Sequence, residues 1–327
     1  MKLMLDIEIK SPKNKITYED KFFLIGSCFT EHIGKRLEDL KFPVLQNPNG
    51  ILFDPISVTK SIHSYLEPKS YNKEDLFFLN ELWQSWNHHS HFSGINKLEV
   101  LAKINESQRA AHNHLAKASW LVVTLGSSFS YHLQENNQSV ANCHRAPGQT
   151  FTKHLLTVEE THTALTKTIK NLQLFNPNLK IIFTISPVRH IRDGVIENNR
   201  SKARLIEAVH QITDTYDHVH YFPAYELVID ILRDYRFFDI DLVHPNYSAT
   251  EFVFSQFERS YFDEQTIAHM EDIRKIMNAF KHKPFHPDTD AHLAFLQNSF
   301  QKVNFLQQQL PDLDFNKELN YFSRKEI

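Results

Sequence analysis

Two places in this chain carry side chains able to make and break an acyl bond. The first is GSCF, residues 26–29, where Ser27 and Cys28 stand side by side as candidate nucleophiles. The second is DLVHPN, residues 241–246, where Asp241 precedes His244 by three positions. That spacing lets a carboxylate hold the imidazole by its Nδ1–H and leaves Nε2 free as a base. A nucleophile, a base and an orienting carboxylate together are the set that acyl transfer requires. DxxH alone is a common loop pattern, and it gains meaning only beside a nucleophile at a strand end.

The surroundings of GSCF suit that chemistry. Residues 22–25 form an apolar run of strand length ending at Gly26, and Phe29, Ile33, Leu37 and Leu40 then recur three or four apart, the inward stripe of a helix. Ser27 and Cys28 therefore fall where a buried strand hands over to a helix N-terminus, with unpaired N–H groups and the positive end of the dipole facing any ligand. Such a terminus is expected to stabilise a Cys28 thiolate, or an oxyanion formed on either side chain.

Other strands follow the same pattern. Apolar runs at 43–46, 120–125, 180–186 and 219–222 alternate with amphipathic stretches at 55–67, 97–118, 157–175, 198–217 and 246–262, which predicts a parallel sheet with helices on both faces and right-handed crossovers. Thr157 with Glu160 is a capping box opening one of these helices. A further helix is expected near 225–234. Residues 1–20 read as an exposed lead-in, 81–94 as a partly buried loop rich in aromatics and histidine, 127–151 as a hairpin or excursion, and 264–310 as two further helices.

The chain has 327 residues, enough for one large α/β domain with an appendage, and a net charge of −3 with acidic and basic residues interspersed. That balance gives no diffuse attraction to nucleic acid or to an anionic membrane. No apolar stretch reaches the length of a signal peptide core or a membrane span, so a soluble, cytoplasmic protein is expected. Its two cysteines, Cys28 and Cys143, are expected to be free thiols.

In an open parallel sheet, ligands bind outside the carboxyl ends of the strands. The residues following the proposed strands are Gly26, Ser27 and Cys28; Asn47 and Gly50; Gly126, Ser127 and Ser128; Ser186, Arg189 and His190; and Tyr225, with Asp241 and His244 on the loop beyond. Arg189 and His190 can hold an anionic substrate group; alternatively Arg189 pairs with Asp193 or Asp241 as scaffold. His88, His89 and His91 with Cys143 and His144 have the ligand types of a transition-metal site, but no paired zinc-type spacing occurs, and twenty histidines make chance clusters common.

GSCF, NPNGILFDP, HHSHFSG, LGSSFSY, ANCH, ISPVRH, YFPAYE with LRDYRF, DLVHP and HKPFHP together resemble the successive motifs of the GSCFA family, which belongs with the SGNH (GDSL-type) hydrolases. The resemblance implies a flavodoxin-like three-layer α/β/α fold with a five-stranded parallel sheet. It implies an SGNH-like domain over 1–262 with an insertion around 55–118, and a C-terminal helical extension over 263–327 packed on it. It also implies esterase or acyltransferase chemistry on a small-molecule or carbohydrate ester; with the charge balance and histidine spacing above, no cofactor, metal, nucleic-acid or membrane partner is expected.

Carried onto this chain, the first block's glycine, aspartate and serine fall on Gly26, Ser27 and Cys28, which puts cysteine in the nucleophile's place; a one-residue slip would restore Ser27. The second block's glycine is similar to Gly50, whose N–H is expected to donate to the oxyanion. The third block's asparagine falls on Ser128, so its side-chain donor is missing or replaced, with Ser128, Asn142 and His89 as substitutes. His88 or His89 is expected to bind substrate, and Asp241 and His244 match the fifth block. A degenerate fold that only binds a carbohydrate or partner is the competing expectation.

Overall fold

The computed structural model describes residues 5–323; residues 1–4 and 324–327, at the two ends of the expected domains, lie outside the described residues. β1 (Phe22–Gly26) and α1 (Cys28–Asp39) are separated only by Ser27. After β2 (Val44–Gln46), α2 (Pro55–Leu66) starts where the Asp54 carboxylate accepts the Ser57 N–H at 3.0 Å. Pro55 takes the first helical position, where a missing N–H costs nothing. A hairpin of β3 (Phe77–Leu79) and β4 (Leu82–Gln84) precedes α3 (Lys97–Leu115). β5 (Trp120–Leu125) is followed by β6 (Phe129–Leu133), β7 (Ser139–Val140) and β8 (Phe151–Leu155), a separate antiparallel sheet in the order β7-β6-β8.

α4 (Val158–Phe175) opens on the expected capping box: Thr157 Oγ1 accepts the Glu160 N–H at 3.0 Å, and Glu160 accepts the Thr157 N–H at 2.7 Å. β9 (Lys180–Ile185), α5 (Val195–Thr213) and β10 (Val219–Tyr221) follow. Then come α6 (Ala224–Glu226), α7 (Tyr247–Tyr261), α8 (Glu264–Lys281), α9 (Asp290–Gln309) and α10 (Asn316–Phe322).

Five strands pair in parallel in the order β10-β9-β5-β1-β2. Phe23, Ile25, Leu121, Val123, Ile181 and Phe183 point to one face, where they share a core with Val58 and Ile62 of α2, Leu165 and Ile169 of α4, and Leu205 and Val209 of α5. The alternate residues Phe22, Leu24, Trp120, Val122 and Ile182 are buried on the other face. Burial on both faces is why these strands read as unbroken apolar runs. The architecture is the expected flavodoxin-like three-layer α/β/α fold, in which β1 lies between β2 and β5 and the strand order reverses. No helix among the described residues is long and apolar enough to cross a membrane.

The chain forms two compact units. One comprises Met1–Lys10, Lys21–Gly34 and Val44–Gln256, and holds both the sheet and every candidate site residue. The other comprises Ser11–Asp20, Lys35–Pro43 and Phe257–Ile327. Within it Ile16, wholly buried, donates its N–H to Tyr261 O at 2.8 Å, Tyr18 stacks on Phe42 at 4.4 Å, and Lys41 pairs with the buried Glu318 at 2.7 Å.

Three expectations are corrected. Residues 1–20 are not simply an exposed lead-in, because Ile16 and Tyr18 join the second unit's core and ring stack. Residues 81–94 are more regular than a loop: β4 pairs with β3 across Asn80 and Glu81, both at positive φ (50° and 61°), and Trp83 exchanges hydrogen bonds with Gly94. Such a two-residue turn normally announces itself by Asn-Gly, and glutamate in the second place hides it. The helix expected near 225–234 is a short α turn that continues as a π-helix, Leu227–Leu232, and stops at Arg233, which is left-handed at φ 54°.

Candidate functional site

The sheet brings the end of β1 against the end of β5. Gly26 is there because an added Cβ would lie 2.2 Å from Thr124 O, inside the neighbouring strand's backbone. The Ser27 N–H donates to that same Thr124 oxygen at 3.0 Å. Ser27 then caps α1: its Oγ accepts the Phe29 N–H at 3.3 Å and its carbonyl the Thr30 N–H at 2.9 Å. Cys28, first residue of the helix, is the more exposed of the two candidate nucleophiles.

The expectation of a thiolate favoured by the helix terminus is corrected in sign. The N–H groups of Cys28 and Phe29 and the charge of Lys202 do favour it. Burial of the sulfur, helped by the Glu31 carboxylate, outweighs them and pushes the Cys28 thiol up.

Asp241 and His244 meet as their spacing implies. Asp241 Oδ2 lies 2.7 Å from His244 Nδ1, and Oδ1 accepts the N–H groups of Val243 at 2.9 Å and His244 at 3.0 Å. Those bonds, the His244 side chain first, hold the Asp241 carboxyl down to about 2, so it stays ionised and keeps Nδ1 engaged.

Arg189 holds this loop in place. Its N–H donates to Val243 O at 3.2 Å, its guanidinium donates to Leu242 O at 3.0 Å, and it stacks on Phe238 at 3.9 Å. Of the two roles weighed for Arg189, the scaffold role fits, but through a backbone carbonyl and not through Asp193, which pairs with Lys153.

His190 joins the two halves of the site. An added Cβ on Gly126 would stand 3.2 Å from His190 Nε2 and 3.4 Å from Ser27 Cβ, so imidazole and serine share the space over that glycine. Its N–H donates to Asn198 Oδ1 at 2.9 Å and its ring centre lies 5.1 Å from that of Phe53. Burial, then the charges of Lys202 and His244, push His190 down to about 4, which leaves it neutral at ordinary pH.

Several expected donors are already committed. The Gly50 N–H donates to Asn47 O at 2.7 Å, so its assignment to an oxyanion is corrected; the glycine serves instead to let His89 approach, since a Cβ would lie 2.2 Å from that of His89. Ser128 is wholly buried and donates to Ser201 O at 3.1 Å, so it does not replace the missing asparagine. His88 is also wholly buried, with Nδ1 2.9 Å from Ser85 Oγ and its ring between Tyr71 and Phe92, which removes it from substrate contact. Asn142 Oδ1 accepts the His144 N–H at 2.8 Å and closes a local turn.

His89 caps a short turn, its Nδ1 accepting the His91 N–H at 3.3 Å. It is half-buried, and burial pushes its imidazole down against the opposing Glu31 carboxylate on the first turn of α1. Among the described residues, no three of His, Cys, Asp and Glu converge as a metal site would require.

Two groups escaped the sequence reading. Asn47, noted only as a strand-end residue, accepts the Gly26 N–H on Oδ1 at 2.9 Å and leaves Nδ2 buried without a partner. Lys202 is buried on α5, donating to Gly126 O at 2.5 Å and Ser186 O at 2.6 Å. The signal was present: Leu205, Val209 and Ile212, continued back one turn, place a lysine on the inward stripe.

A sheet in the order β2-β1-β5-β9-β10, with the GSCF turn at the point where the order reverses, defines a doubly wound α/β protein. The chain belongs to the GSCFA family, whose model matches residues 21–257, and residues 273–326 match the C-terminal domain of GSCFA domain proteins. Among curated proteins no sequence matches it.

Similar solved structures include a carbohydrate esterase family 3 protein from Talaromyces cellulolyticus, 9% identical with TM-score 0.38, covering 77% of this chain and 99% of that one. Another is the acetyl xylan esterase Est2A from Butyrivibrio proteoclasticus, 13% identical with TM-score 0.37, covering 75% of this chain and 64% of that one.

Proposed function

We propose that this protein is an acyl hydrolase or acyltransferase acting on an O-acyl ester, with a carbohydrate or cell-wall precursor as the carrier. Cys28, or Ser27 beside it, attacks the ester carbonyl; His244 is the general base and Asp241 orients it. The observation that carries this reading is the Asp241–His244 hydrogen bond of 2.7 Å, on a loop that Arg189 fastens next to His190, which in turn shares the space over Gly126 with Ser27.

The donor for the oxyanion in this reading is the Cys28 N–H at the head of α1. The thioester or ester intermediate is open to water or to an alcohol, so hydrolysis and transfer share one first step.

Short-chain aryl esters assayed with wild type, Cys28→Ala, Ser27→Ala and His244→Ala, together with fluorophosphonate and iodoacetamide labelling and peptide mapping, test the proposal. Turnover should fall by two or more orders of magnitude in His244→Ala and in one of the two nucleophile variants. A wild type that neither turns over nor labels at 27 or 28 would sink it.

The second reading, a binding protein on a degenerate fold, draws on the occupied Gly50 N–H and Ser128 hydroxyl. It is favoured if carbohydrate affinity survives His244→Ala while no ester in a panel is cleaved.

A further inference from the structure

Large apolar side chains exposed singly are ordinary on a protein surface; a concentration of them beside a reactive site is not. Fifteen stand exposed among the described residues, and six of these come from two short stretches, 191–196 and 235–242. They are Ile191, Val195 and Ile196 on the first and Tyr235, Ile240 and Leu242 on the second. Both stretches adjoin the candidate site.

Ile191 follows His190, which shares the space over Gly126 with Ser27, and Ile240 and Leu242 flank Asp241 on either side. Arg189 ties the stretches together. Its N–H donates to Val243 O and its guanidinium to Leu242 O, and the same guanidinium lies over the rings of Phe238 at 3.9 Å and Tyr235 at 5.2 Å. The six side chains therefore belong to one fastened pair of loops, which also carries His244 and its carboxylate.

Neither packing nor backbone preference accounts for them. Ile240 is wholly exposed, Ile196 is 82% exposed and Leu242 53%. Leu242 also closes the turn from Asp239, donating its N–H to Asp239 O at 2.9 Å with φ at 59°, a backbone position where a bulky side chain is strained and glycine would sit more easily. A leucine held there at a cost, with half its surface in water, is placed for something outside the fold.

We propose that these loops seat the acyl chain of the substrate, and that this chain is apolar and several carbons long. The proposal rests on the acyl-transfer reading of Asp241 and His244 and narrows it from O-acyl esters at large to esters of longer chains. Of the two halves of an acylated carbohydrate, the carrier is hydroxylated, and the chain alone gains by leaving water. Charge argues against a lipid surface in its place. Within the two stretches Arg192 is matched by Asp193, and Arg236 is outnumbered by Asp239 and Asp241, so no basic excess draws anionic headgroups.

The chain-length profile of kcat/KM on p-nitrophenyl esters from acetate to octanoate, each kept below its aggregation concentration, tests the proposal. Full burial of a methylene is worth about fourfold and contact on one side about half that free energy, so kcat/KM should rise about twofold per methylene. Ile196→Ser combined with Ile240→Ser should cut the octanoate-to-acetate ratio about tenfold. Leu174→Ser, exposed on α4 and outside both loops, should leave the ratio unchanged. A flat profile, or a ratio that the double variant shares with the parent, overturns the proposal.

Binding is read apart from turnover. cis-Parinaric acid, held below its micelle concentration and fluorescent on leaving water, should bind the parent and bind the double variant about tenfold more weakly. Equal or absent binding in both proteins overturns the seat. Sedimentation with phosphatidylcholine vesicles that the double variant loses, while keeping the parent's ester ratio, would assign the loops to a lipid surface and overturn it too. Parinaric acid binding that depends on Ile196 and Ile240, with no ester turned over, removes the acyl-transfer reading and leaves the apolar seat standing; turnover with a flat profile does the reverse.

Discussion

Gly126 is the residue on which the two halves of the site converge. A methyl there would lie 2.8 Å from Phe53 Cβ and 3.2 Å from His190 Nε2, so Gly126→Ala must displace the His190 ring or the Phe53 side chain. The expected result is about 1–3 kcal/mol of lost stability from overpacking. With it should come a fall of about tenfold or more in kcat/KM on any ester the wild type cleaves, because catalytic geometry tolerates little misplacement. Urea denaturation and steady-state kinetics on the same preparation separate the two effects. Lost stability with unchanged kcat/KM would mean that the His190 position is irrelevant to turnover. Burial, and then the charge of Lys202, keeps the His190 imidazole neutral over that glycine.

At the scale of elements, the Asp241–His244 loop is local in its internal bonding and borrowed in its position. Asp241 bonds Val243 and His244 within a few residues, but what anchors the loop to the strand ends is Arg189, after β9, through Leu242 O and the Phe238 ring. Arg189→Ala should therefore leave the fold intact and lower kcat about tenfold as His244 loses its fixed orientation, measured by kinetics alongside circular dichroism. Arg189→Lys should rescue little, because an ammonium cannot both stack on Phe238 and reach the carbonyl as a planar guanidinium does. Full activity in Arg189→Ala would mean that the loop holds itself.

For the whole molecule, acid is the expected weak point. Burial holds His190 down to about 4 and His88 down to about 3, against a usual 6.5 in the unfolded chain. Between those values the unfolded chain binds more protons than the folded one. Stability is thus whole above pH 6.5, falls as pH drops below it, and keeps falling until pH passes 4 for His190 and 3 for His88. The slope is up to about 1.4 kcal/mol per pH unit for each histidine. Urea midpoints should be clearly lower at pH 4.5 than at pH 7, and His88→Phe should flatten the dependence; parallel curves for the two proteins would contradict that assignment.

The second unit is assembled from three separated segments, in which Ile16 bonds Tyr261 and Phe42 packs on Phe262 at 5.5 Å. A chain ending at Gln256 strips those partners from two buried residues, and aggregation on gel filtration is the expected outcome. A monodisperse truncated chain with unchanged helix content would show that 11–20 and 35–43 need no such cover.

Much of this was legible in the sequence, for a reason of range. Strands buried on both faces write themselves as unbroken apolar runs, and caps and short turns act within a few residues. So the five strands, the Thr157–Glu160 box, the strand-to-helix turn at GSCF and the Asp241–His244 pair could be read directly. What needed the tertiary structure was the destination of each donor. Ser128 finds Ser201, the Gly50 N–H turns back on Asn47, and Lys202 reaches carbonyls at the ends of two different strands. Periodicity says that a side chain points inward. Which atom it meets there depends on segments many tens of residues away, and only their packing together decides it.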